Sequence, residues 1–418
     1  MENNYIQGVV NMKKNLNYWS LSGFTFFYFF ASTSAMSLFA IWLGQTLELS
    51  GAQVGMIFSI NAIATLCFQP LYGFISDKIG LRKHLLWLIT FLIMLIGPFF
   101  IYIYSPLLHY NPFLGAIIGS VYLSATLLAS FGAIESYAER TGRTYNFEYG
   151  QVRMWGSLGA AAAAFFSGKL FNINPHISFW IASACSIFLI IFLLLMKVHV
   201  SGEEQKKTDS LKLTDTFSLL KNKTFWIFMV YVLGVACVYS VYDQQFPVYY
   251  ASLFSTSGQG NQMFGYLNSI QIFLEAGMMF IAPFIVNKIG AKKSLVVAGL
   301  LMAIRITGSG LAVEPIGIST MKMLHSFELP IMLIAILKFI DANFDAKFSA
   351  TMYIVGYYFV SQVGQALLSP ILGHWYDTIG FSKTYLILGV SVFVFVITFA
   401  ALRPTAVPKH VHFPNQAV

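Results

Sequence analysis

Long apolar stretches recur along the whole chain, and they limit its possible folds more than any other feature. Each is close to the roughly 20 residues that a helix needs to cross a bilayer. The chain is 57% hydrophobic and 10% charged, whereas soluble domains carry about 25% charged residues. We therefore predict an all-α membrane protein with twelve transmembrane helices. The predicted spans are approximately residues 18–45, 53–76, 84–106, 113–138, 148–171, 176–197, 224–250, 262–287, 294–313, 316–340, 347–373 and 382–403.

The basic residues of the connectors alternate along the chain. Lys and Arg follow spans 2, 4, 6, 8 and 10, and none occurs in the tight loops after spans 1, 3, 5, 7 and 9. Because basic loops are retained in the cytoplasm, both termini are predicted to be cytoplasmic; Lys383 after span 11 is the exception. The net charge of +8 therefore indicates orientation in a membrane rather than nucleic-acid binding.

A seven-residue motif occurs twice, half a chain apart. Residues 77–83 (DKIGLRK) follow span 2, and residues 287–293 (NKIGAKK) follow span 8. A generic basic loop is one interpretation; a duplicated half, the arrangement of major facilitator transporters, is the one we favour. We predict an N-terminal six-helix bundle at residues 1–200, a charged cytoplasmic linker at 201–223, and a C-terminal six-helix bundle with a short tail at 224–418.

Three ionisable residues in span 10, Lys322, His325 and Glu328, are spaced three apart. In a helix this spacing returns a side chain to nearly the same face. A charge at bilayer depth costs roughly 2.5–3.5 kcal/mol on insertion scales, so this face is expected to meet a water-filled cavity or charged partners. Span 9 carries a lone Arg305 and span 7 carries Asp243, which supply such partners.

These residue types suggest proton chemistry. Burial disfavours an ionised carboxyl, so Glu328 is expected to hold a proton at neutral pH. An approaching Arg305, which is effectively always charged, would favour the anion and expel that proton. Asp243 is the expected counter-ion of Lys322, and His325 can link a bound ligand to Glu328 because imidazole both donates and accepts hydrogen bonds.

The polar groups of several spans suggest an uncharged ligand rich in hydroxyls. Carboxylates, amides and a guanidinium can form paired hydrogen bonds with sugar hydroxyls, and aromatic faces can cover a sugar ring. For any one aromatic residue, ordinary packing is the alternative, and Glu135 could instead extend its carboxylate towards the membrane surface. A metal site at His325 and Glu328 is a further alternative, but it lacks a third nearby ligand. The candidate sugar-binding residues are Glu135, Arg153, Asn268, Gln271, Glu275, Phe131 and Trp155, with Tyr239 beside them.

Five segments resemble the oligosaccharide:proton symporters of the major facilitator superfamily, a group that includes the lactose, raffinose, melibiose and sucrose permeases. Four of them resemble the group as a whole, and the fifth, at residues 267–271 with 274–276, is similar to the sucrose permease branch. The resemblance extends over nearly the whole chain. The four general segments are residues 241–246 (VYDQQF), 324–330 (LHSFELP), 146–150 (NFEYG) and 284–290 (FIVNKIG).

The resemblance implies a role for each matching residue. Glu328 would be the proton-carrying glutamate, Arg305 the arginine that drives its deprotonation, and His325 the histidine that couples it to sugar. Lys322 and Asp243 would form an interhelical ion pair beside Tyr239. Glu135 and Arg153 would be the sugar-binding acid and arginine of the N-terminal half.

Several positions depart from the galactoside-transporting members. Those members carry a glutamate where this chain has Ile272 and a sugar-stacking tryptophan where it has Ala160. An aspartate–lysine pair of lactose permease is replaced by Ser240 and Ser361, so both charges are absent together. We hypothesise that Phe131 partly replaces the aromatic residue that is missing at Ala160.

The sequence thus predicts a monomeric proton-coupled symporter in the bacterial cytoplasmic (inner) membrane. Its expected substrate is a disaccharide, with sucrose as first choice and a galactoside or maltose-type sugar as second. A non-transporting sugar sensor and a drug/proton antiporter are alternatives from other classes. We expect no enzymatic activity, no cofactor apart from the coupling proton, no metal and no nucleic-acid partner.

Overall fold

The computed structural model describes residues 16–147, 149–198, 222–344 and 352–403, and no strand occurs within these ranges. The fold there is all-α, as predicted. The last residues of α1 form a π-helical turn, and α3 consists of two segments that meet at 48°. The helices are α1 (Leu16–Thr46), α2 (Gly51–Ile79), α3 (His84–Met94 and Ile96–Tyr110), α4 (Pro112–Tyr145), α5 (Tyr149–Ile173), α6 (Ile177–Leu195), α7 (Lys223–Ser252), α8 (Ser257–Ile289), α9 (Ala291–Leu311), α10 (Pro315–Asn343), α11 (Met352–Phe359 continued by Val360–Thr378) and α12 (Phe381–Ala401).

Nine of the described helices are long and apolar enough to cross a membrane, and the bent α3 raises the number to ten. The remaining two, α5 and α11, are rich in small or polar residues because they face other helices: α5 packs on α1 and α8, and α11 packs on α2. The count of twelve spans, the cytoplasmic termini and the domain boundaries stay predictions. Most of the predicted linker lies outside the described residues.

Local sequence explains where several helices begin and end. Ser50 and Gln53 form a capping box at the start of α2, which satisfies two backbone N–H groups that the helix itself leaves free. Asn111 caps α4 through two backbone N–H groups. The glycines of the two repeated loops, Gly80 and Gly290, have φ of 58° and 88°, a backbone conformation that L side chains rarely adopt.

The basic residues of the repeated loops fasten each half internally. Lys83 Nζ donates to the carbonyls of Leu193 and Met196 at the end of α6, at 2.7 and 2.9 Å. In the second half, Lys292 Nζ donates to the carbonyl of Ala400 at the end of α12, at 2.9 Å. A cation at the carbonyl end of a helix also complements the helix dipole. The repeated motif therefore ties the third helix of each half to the sixth.

The two halves meet along two helix pairs, α2 with α11 and α5 with α8. Glycines permit close backbone approach in both pairs. A Cβ at Gly55 would lie 2.3 Å from the carbonyl oxygen of Ser369, and one at Gly168 would lie 2.1 Å from that of Asn261. These contacts bring the middle of the N-terminal half against the middle of the C-terminal half, with a polar cavity between them.

Candidate functional site

The cavity between the halves has a volume of about 360 Å³. Its wall is built mostly from α7, α8 and α10 of the C-terminal half, with α1 and α2 closing it from the N-terminal half. Carboxylates, amides, a lysine and an imidazole alternate there with apolar side chains, which is the composition expected for a polar organic ligand. The lining residues are Met36, Ser37, Ala40, Phe58, Tyr239, Asp243, Gln244, Phe246, Pro247, Phe264, Asn268, Gln271, Glu275, Lys322, His325 and Leu329.

Behind this wall, Arg305 and Glu328 form an ion pair with no solvent exposure. Arg305 Nη2 lies 2.6 Å from Glu328 Oε1, and both side chains are 0% exposed. No hydrogen-bond donor of the described residues contacts the other carboxylate oxygen, Oε2. An unsatisfied buried oxygen is costly. The pair thus combines a cation that contacts one carboxylate oxygen with a second carboxylate oxygen that lacks a donor among the described residues.

Asp243 lines the cavity and also contacts the arginine of this pair. Its Oδ1 lies 2.6 Å from Lys322 Nζ and 3.3 Å from Arg305 Nη1, and its Oδ2 lies 3.6 Å from His325 Nδ1. Two cations and one imidazole thus share one carboxylate. Because Asp243 contacts both cations, a movement of Arg305 away from Glu328 would not leave the guanidinium without an anion.

His325 lies between the cavity and the buried pair. Its Nδ1 is 3.5 Å from Glu328 Oε1, and its Nε2 is 3.9 Å from Glu275 Oε2. The ring stacks on Tyr239, with 5.2 Å between ring centroids. The imidazole is therefore held by an aromatic face with one nitrogen towards Glu328 and the other towards Glu275 of the cavity wall.

The sequence of α10 explains how these groups come to face the same way. Lys322, His325 and Glu328 are all buried, as their spacing of three predicts. The helix is interrupted for one residue at Leu324 and resumes at His325. Aromatic rings pack against the two cations of this group: Arg305 lies over Tyr242 at 4.6 Å, and Lys322 lies over Phe246 at 4.9 Å.

The three predicted sugar-binding residues of α8 all line the cavity. Asn268 donates to Ser37 Oγ of α1 at 3.2 Å, and Gln271 Nε2 donates to Glu275 Oε2 at 3.4 Å. No Lys or Arg of the described residues lies within 4 Å of Glu275, whereas Asp243 and Glu328 each contact such a cation. Glu275 is thus a carboxylate that remains available to hydroxyl donors from a ligand.

The predicted sugar-binding residues of the N-terminal half do not line this cavity. Glu135 and Arg153 pair with each other at 2.8 Å and keep about 30% side-chain exposure. Arg153 also donates to Ser157 Oγ at 3.0 Å, and its guanidinium lies over the ring of Phe131 at 5.4 Å. Phe131 therefore contacts the predicted sugar-binding arginine, which leaves our hypothesis about Ala160 a prediction.

Trp155 lies apart from both groups. Its indole N–H donates to the Tyr18 hydroxyl at 3.3 Å, and its ring is 5.9 Å from that of Trp19. These contacts attach α5 to the beginning of α1, so packing accounts for the side chain as the structure places it. A sugar-binding role for Trp155 stays a prediction without support from its position.

Sequence analysis missed several residues of the cavity wall. Ser37 and Phe58 come from the first two helices, which carry no ionisable residue near the cavity. Gln244 directly follows Asp243 but was not singled out, and its amide nitrogen has no hydrogen-bond partner among the described residues. Of these missed residues, only Gln244 had a signal in the sequence, namely the polar residues around Asp243. A serine or a phenylalanine in an apolar span, such as Ser37 or Phe58, gives no such signal.

The fold is shared with known transporters. The solved structure of the nucleoside transporter NupG matches with a TM-score of 0.77 and 19% identity, covering 93% of this chain and 98% of that chain. At this identity the likeness shows the fold: two helical halves with a cavity between them.

The family follows from closer matches. The family model of the LacY proton/sugar symporters matches residues 10–410. The raffinose permease of Escherichia coli is 39% identical over 405 residues, which is 96% of this chain and 95% of that protein. The sucrose permease of Escherichia coli is 38% identical over 376 residues, 89% of this chain and 90% of that protein. The chain belongs to the LacY proton/sugar symporter family and is a multi-pass membrane protein.

Proposed function

We propose that this symporter carries a disaccharide into the cell together with one proton, and that sucrose is its preferred sugar. The proposal rests above all on one observation: a fully buried Arg305–Glu328 pair lies one side chain behind a polar cavity, with His325 between them. An acid in that position can exchange its proton only when a neighbouring group moves, so the proton movement can be linked to ligand binding.

In the proposed cycle, Glu328 first takes up a proton and then sugar binds between the halves. The halves rock so that the cavity opens to the cytoplasm, and the sugar leaves. Arg305 then approaches Glu328 and favours its anion, which releases the proton. The 2.6 Å contact between Arg305 and Glu328 is the arrangement expected after that last step. The protein is proposed to work as a monomer in the bacterial cytoplasmic membrane.

Residues of α8 support sucrose over a galactoside. Asn268, Gln271 and Glu275 line the cavity, and together they form the segment that is similar to the sucrose permease branch. Ile272 and Ala160 lack the carboxylate and the aromatic ring that galactoside-transporting members carry at those positions. Overall identity does not decide the sugar, because the raffinose and sucrose permeases match almost equally well. A galactoside or maltose-type disaccharide is the alternative substrate.

The experiment is an uptake panel with sucrose, maltose, lactose, melibiose and raffinose in cells that express the chain. We expect sucrose to accumulate against its gradient and its addition to make a weakly buffered suspension more alkaline. A sensor would give no pH change, and an antiporter would give one of opposite sign. Uptake of melibiose or lactose with no uptake of sucrose would overturn the sugar assignment and leave proton coupling intact.

A further inference from the structure

The start of α2 in the N-terminal half lies against the end of α11 in the C-terminal half. Both carboxylate oxygens of Asp377 accept backbone hydrogen bonds there, Oδ1 from Gly51 N–H and Oδ2 from Ala52 N–H, each at 2.8 Å. The side chain thus reaches from one half of the molecule to the other and bonds to main-chain groups that no mutation of a side chain can remove.

These bonds complete the cap of α2. The first N–H groups of a helix have no partner within the helix. The capping box of Ser50 and Gln53 supplies partners for their own two backbone N–H groups. Gly51 and Ala52, which lie between them, receive theirs from Asp377. Helix α2 is therefore capped partly by its own residues, Ser50 and Gln53, and partly by Asp377 of the C-terminal half.

The position of Asp377 in its own helix is unfavourable without this contact. It lies one residue before the end of α11, at Thr378, where the negative end of the helix dipole disfavours an anion. The positive end of α2 reverses that effect, and hydrogen bonds to an ionised acceptor are roughly twice as strong as neutral ones. If the halves separate at this end, Asp377 loses both the favourable helix dipole of α2 and its two backbone hydrogen bonds.

Neutral contacts complete the closure at the same end of the molecule. Between α1, α5 and α8, the amide of Asn261 donates to Gln45 Oε1 at 3.0 Å and to Asn172 Oδ1 at 3.2 Å. Gln245 Nε2 donates to the carbonyl of Gly51 at 3.0 Å. Among the described residues at this end, Asp377 is the charged side chain in the hydrogen bonds that join the halves.

We propose that Asp377 is a latch that keeps this end of the cavity closed, and that the latch must open before sugar can enter from that side. The positive-inside pattern assigns this end to the outer face of the membrane. The latch sets the ratio of closed to open molecules, so it acts on transport from a distance and touches neither the sugar nor the proton site.

The test measures how readily a cavity residue is reached from outside. A cysteine replaces Gln244, which lines the cavity, in a variant whose three native cysteines are substituted. Right-side-out membrane vesicles are treated with a membrane-impermeant thiol reagent, without sugar and without a proton gradient. Asp377→Asn removes the charge and one acceptor, so we expect labelling about tenfold faster, the ratio that corresponds to the loss of one charge-assisted hydrogen bond.

A second variant breaks the latch from the other half and keeps the charge. A Cβ at Gly51 would lie 2.6 Å from Asp377 Oδ1 and 2.9 Å from the carbonyl oxygen of Gly373, so Gly51→Ala is expected to push the carboxylate away together with the end of α11 and also speed labelling. Glu314→Gln is the matched control, because Glu314 belongs to the neighbouring outer connector, before α10, and Glu314 makes no bond between the halves among the described residues. Thermal unfolding midpoints close to that of the parent would show that the variants are folded.

Labelling of Asp377→Asn and Gly51→Ala at the parent's rate would overturn the latch, and so would equal acceleration in Glu314→Gln. Neither result depends on which sugar is carried or on how the proton is coupled, because the assay contains no sugar and no gradient. Failure of the proposed function would appear instead in the uptake panel, with labelling unaffected.

Discussion

In the C-terminal half, six ionisable side chains on α7, α8, α9 and α10 are joined by contacts of 2.6–3.9 Å; they are Asp243, Glu275, Arg305, Lys322, His325 and Glu328. Among the described residues of the N-terminal half, Glu135 and Arg153 form an ion pair that keeps about 30% side-chain exposure, and the pair of Arg143 with Glu139 is more exposed still. The same helical architecture thus carries a buried, branched charge network in the C-terminal half and a partly exposed ion pair in the N-terminal half.

By contrast, the contacts that bind basic residues to helix ends within each half are similar in the two halves. Lys83 binds the end of α6 as Lys292 binds the end of α12. Arg140 donates to the Ser76 carbonyl at the end of α2, and Lys338 donates to Asn287 at the end of α8. The contacts that hold each bundle together are therefore similar in the two halves, while the charges inside the bundles differ. Under the proposed function, proton chemistry belongs to the C-terminal half and sugar contacts belong to both.

The largest expected effect comes from Glu328→Gln. A proton that moves with the sugar supplies about 2.3 kcal/mol per 100 mV, which permits roughly 50-fold accumulation at that potential. Glutamine cannot release a proton, so we expect the internal-to-external sugar ratio to fall to about 1, while exchange of labelled for unlabelled sugar continues. Uptake of labelled sugar into energised membrane vesicles gives the accumulation ratio. Vesicles preloaded with sugar give the rate of exchange.

The matched acid of the other half is Glu135. Glu135→Gln should weaken sugar binding, while the sugar that does cross remains coupled to protons. If Glu328→Gln still accumulates sugar fully, or if Glu135→Gln abolishes coupling in the same manner, the proton chemistry is not confined to the C-terminal half.

The next effect concerns stability. Arg305→Gln leaves Glu328 without its cation, whereas Asp243 keeps Lys322 at 2.6 Å; breaking a buried ion pair costs roughly 3–5 kcal/mol. Arg153→Gln breaks a partly exposed pair, which is expected to cost about 1 kcal/mol or less because solvent screens it. Equilibrium unfolding in detergent compares the two. The double variant Arg305→Gln/Glu328→Gln should recover a large part of the loss, since it leaves no unpaired carboxylate at Glu328.

Equal losses in Arg305→Gln and Arg153→Gln would mean that burial does not distinguish the two pairs. A double variant as unstable as Arg305→Gln alone would instead assign the loss to other contacts of the guanidinium, such as the Tyr242 ring at 4.6 Å.

Periodicity and spacing predicted the parts of this architecture that depend on single helices. Apolar length gave the helices, and the spacing of Lys322, His325 and Glu328 gave one buried face, because both follow from the 3.6-residue turn. Pairing across helices was found by charge complementarity, as for Asp243 with Lys322. The family resemblance then supplied roles that no single-helix argument could reach.

Depth and direction within the packed bundle could not be predicted. Trp155 and Phe131 are both aromatic residues in apolar spans, yet one bonds to Tyr18 and the other lies against Arg153. The contact of Asp377 with the start of α2 joins residues 326 positions apart. Such contacts depend on how two bundles dock, and a sequence pattern with a period of one helix turn carries no information about docking.

A smaller effect tests the N-terminal half. Phe131→Ala removes one of the two rings beside Arg153, the other being Phe29 at 4.3 Å, and a cation–π contact contributes about 0.5–1 kcal/mol at a partly exposed site. We therefore expect sugar affinity to fall about twofold to fivefold, measured by equilibrium binding of labelled sugar. Proton coupling should not change, because Phe131 has no contact with the C-terminal charge network among the described residues. Unchanged affinity would refute the idea that Phe131 replaces the aromatic residue absent at Ala160.

The smallest effect is expected where the halves are alike. Lys83→Met and Lys292→Met each remove a cation from the carbonyl end of a helix, which stabilises by typically 0.3–1 kcal/mol. Both should lower the free energy of unfolding by a similar amount and leave the sugar affinity and accumulation ratio unchanged. Lys293→Met is the matched control: Lys293 aligns with Lys83 in the repeated motif, but it is exposed and Lys292 makes the contact. A larger loss in Lys293→Met than in Lys292→Met would show that sequence alignment, rather than the observed contact, identifies the residue that holds the second bundle together.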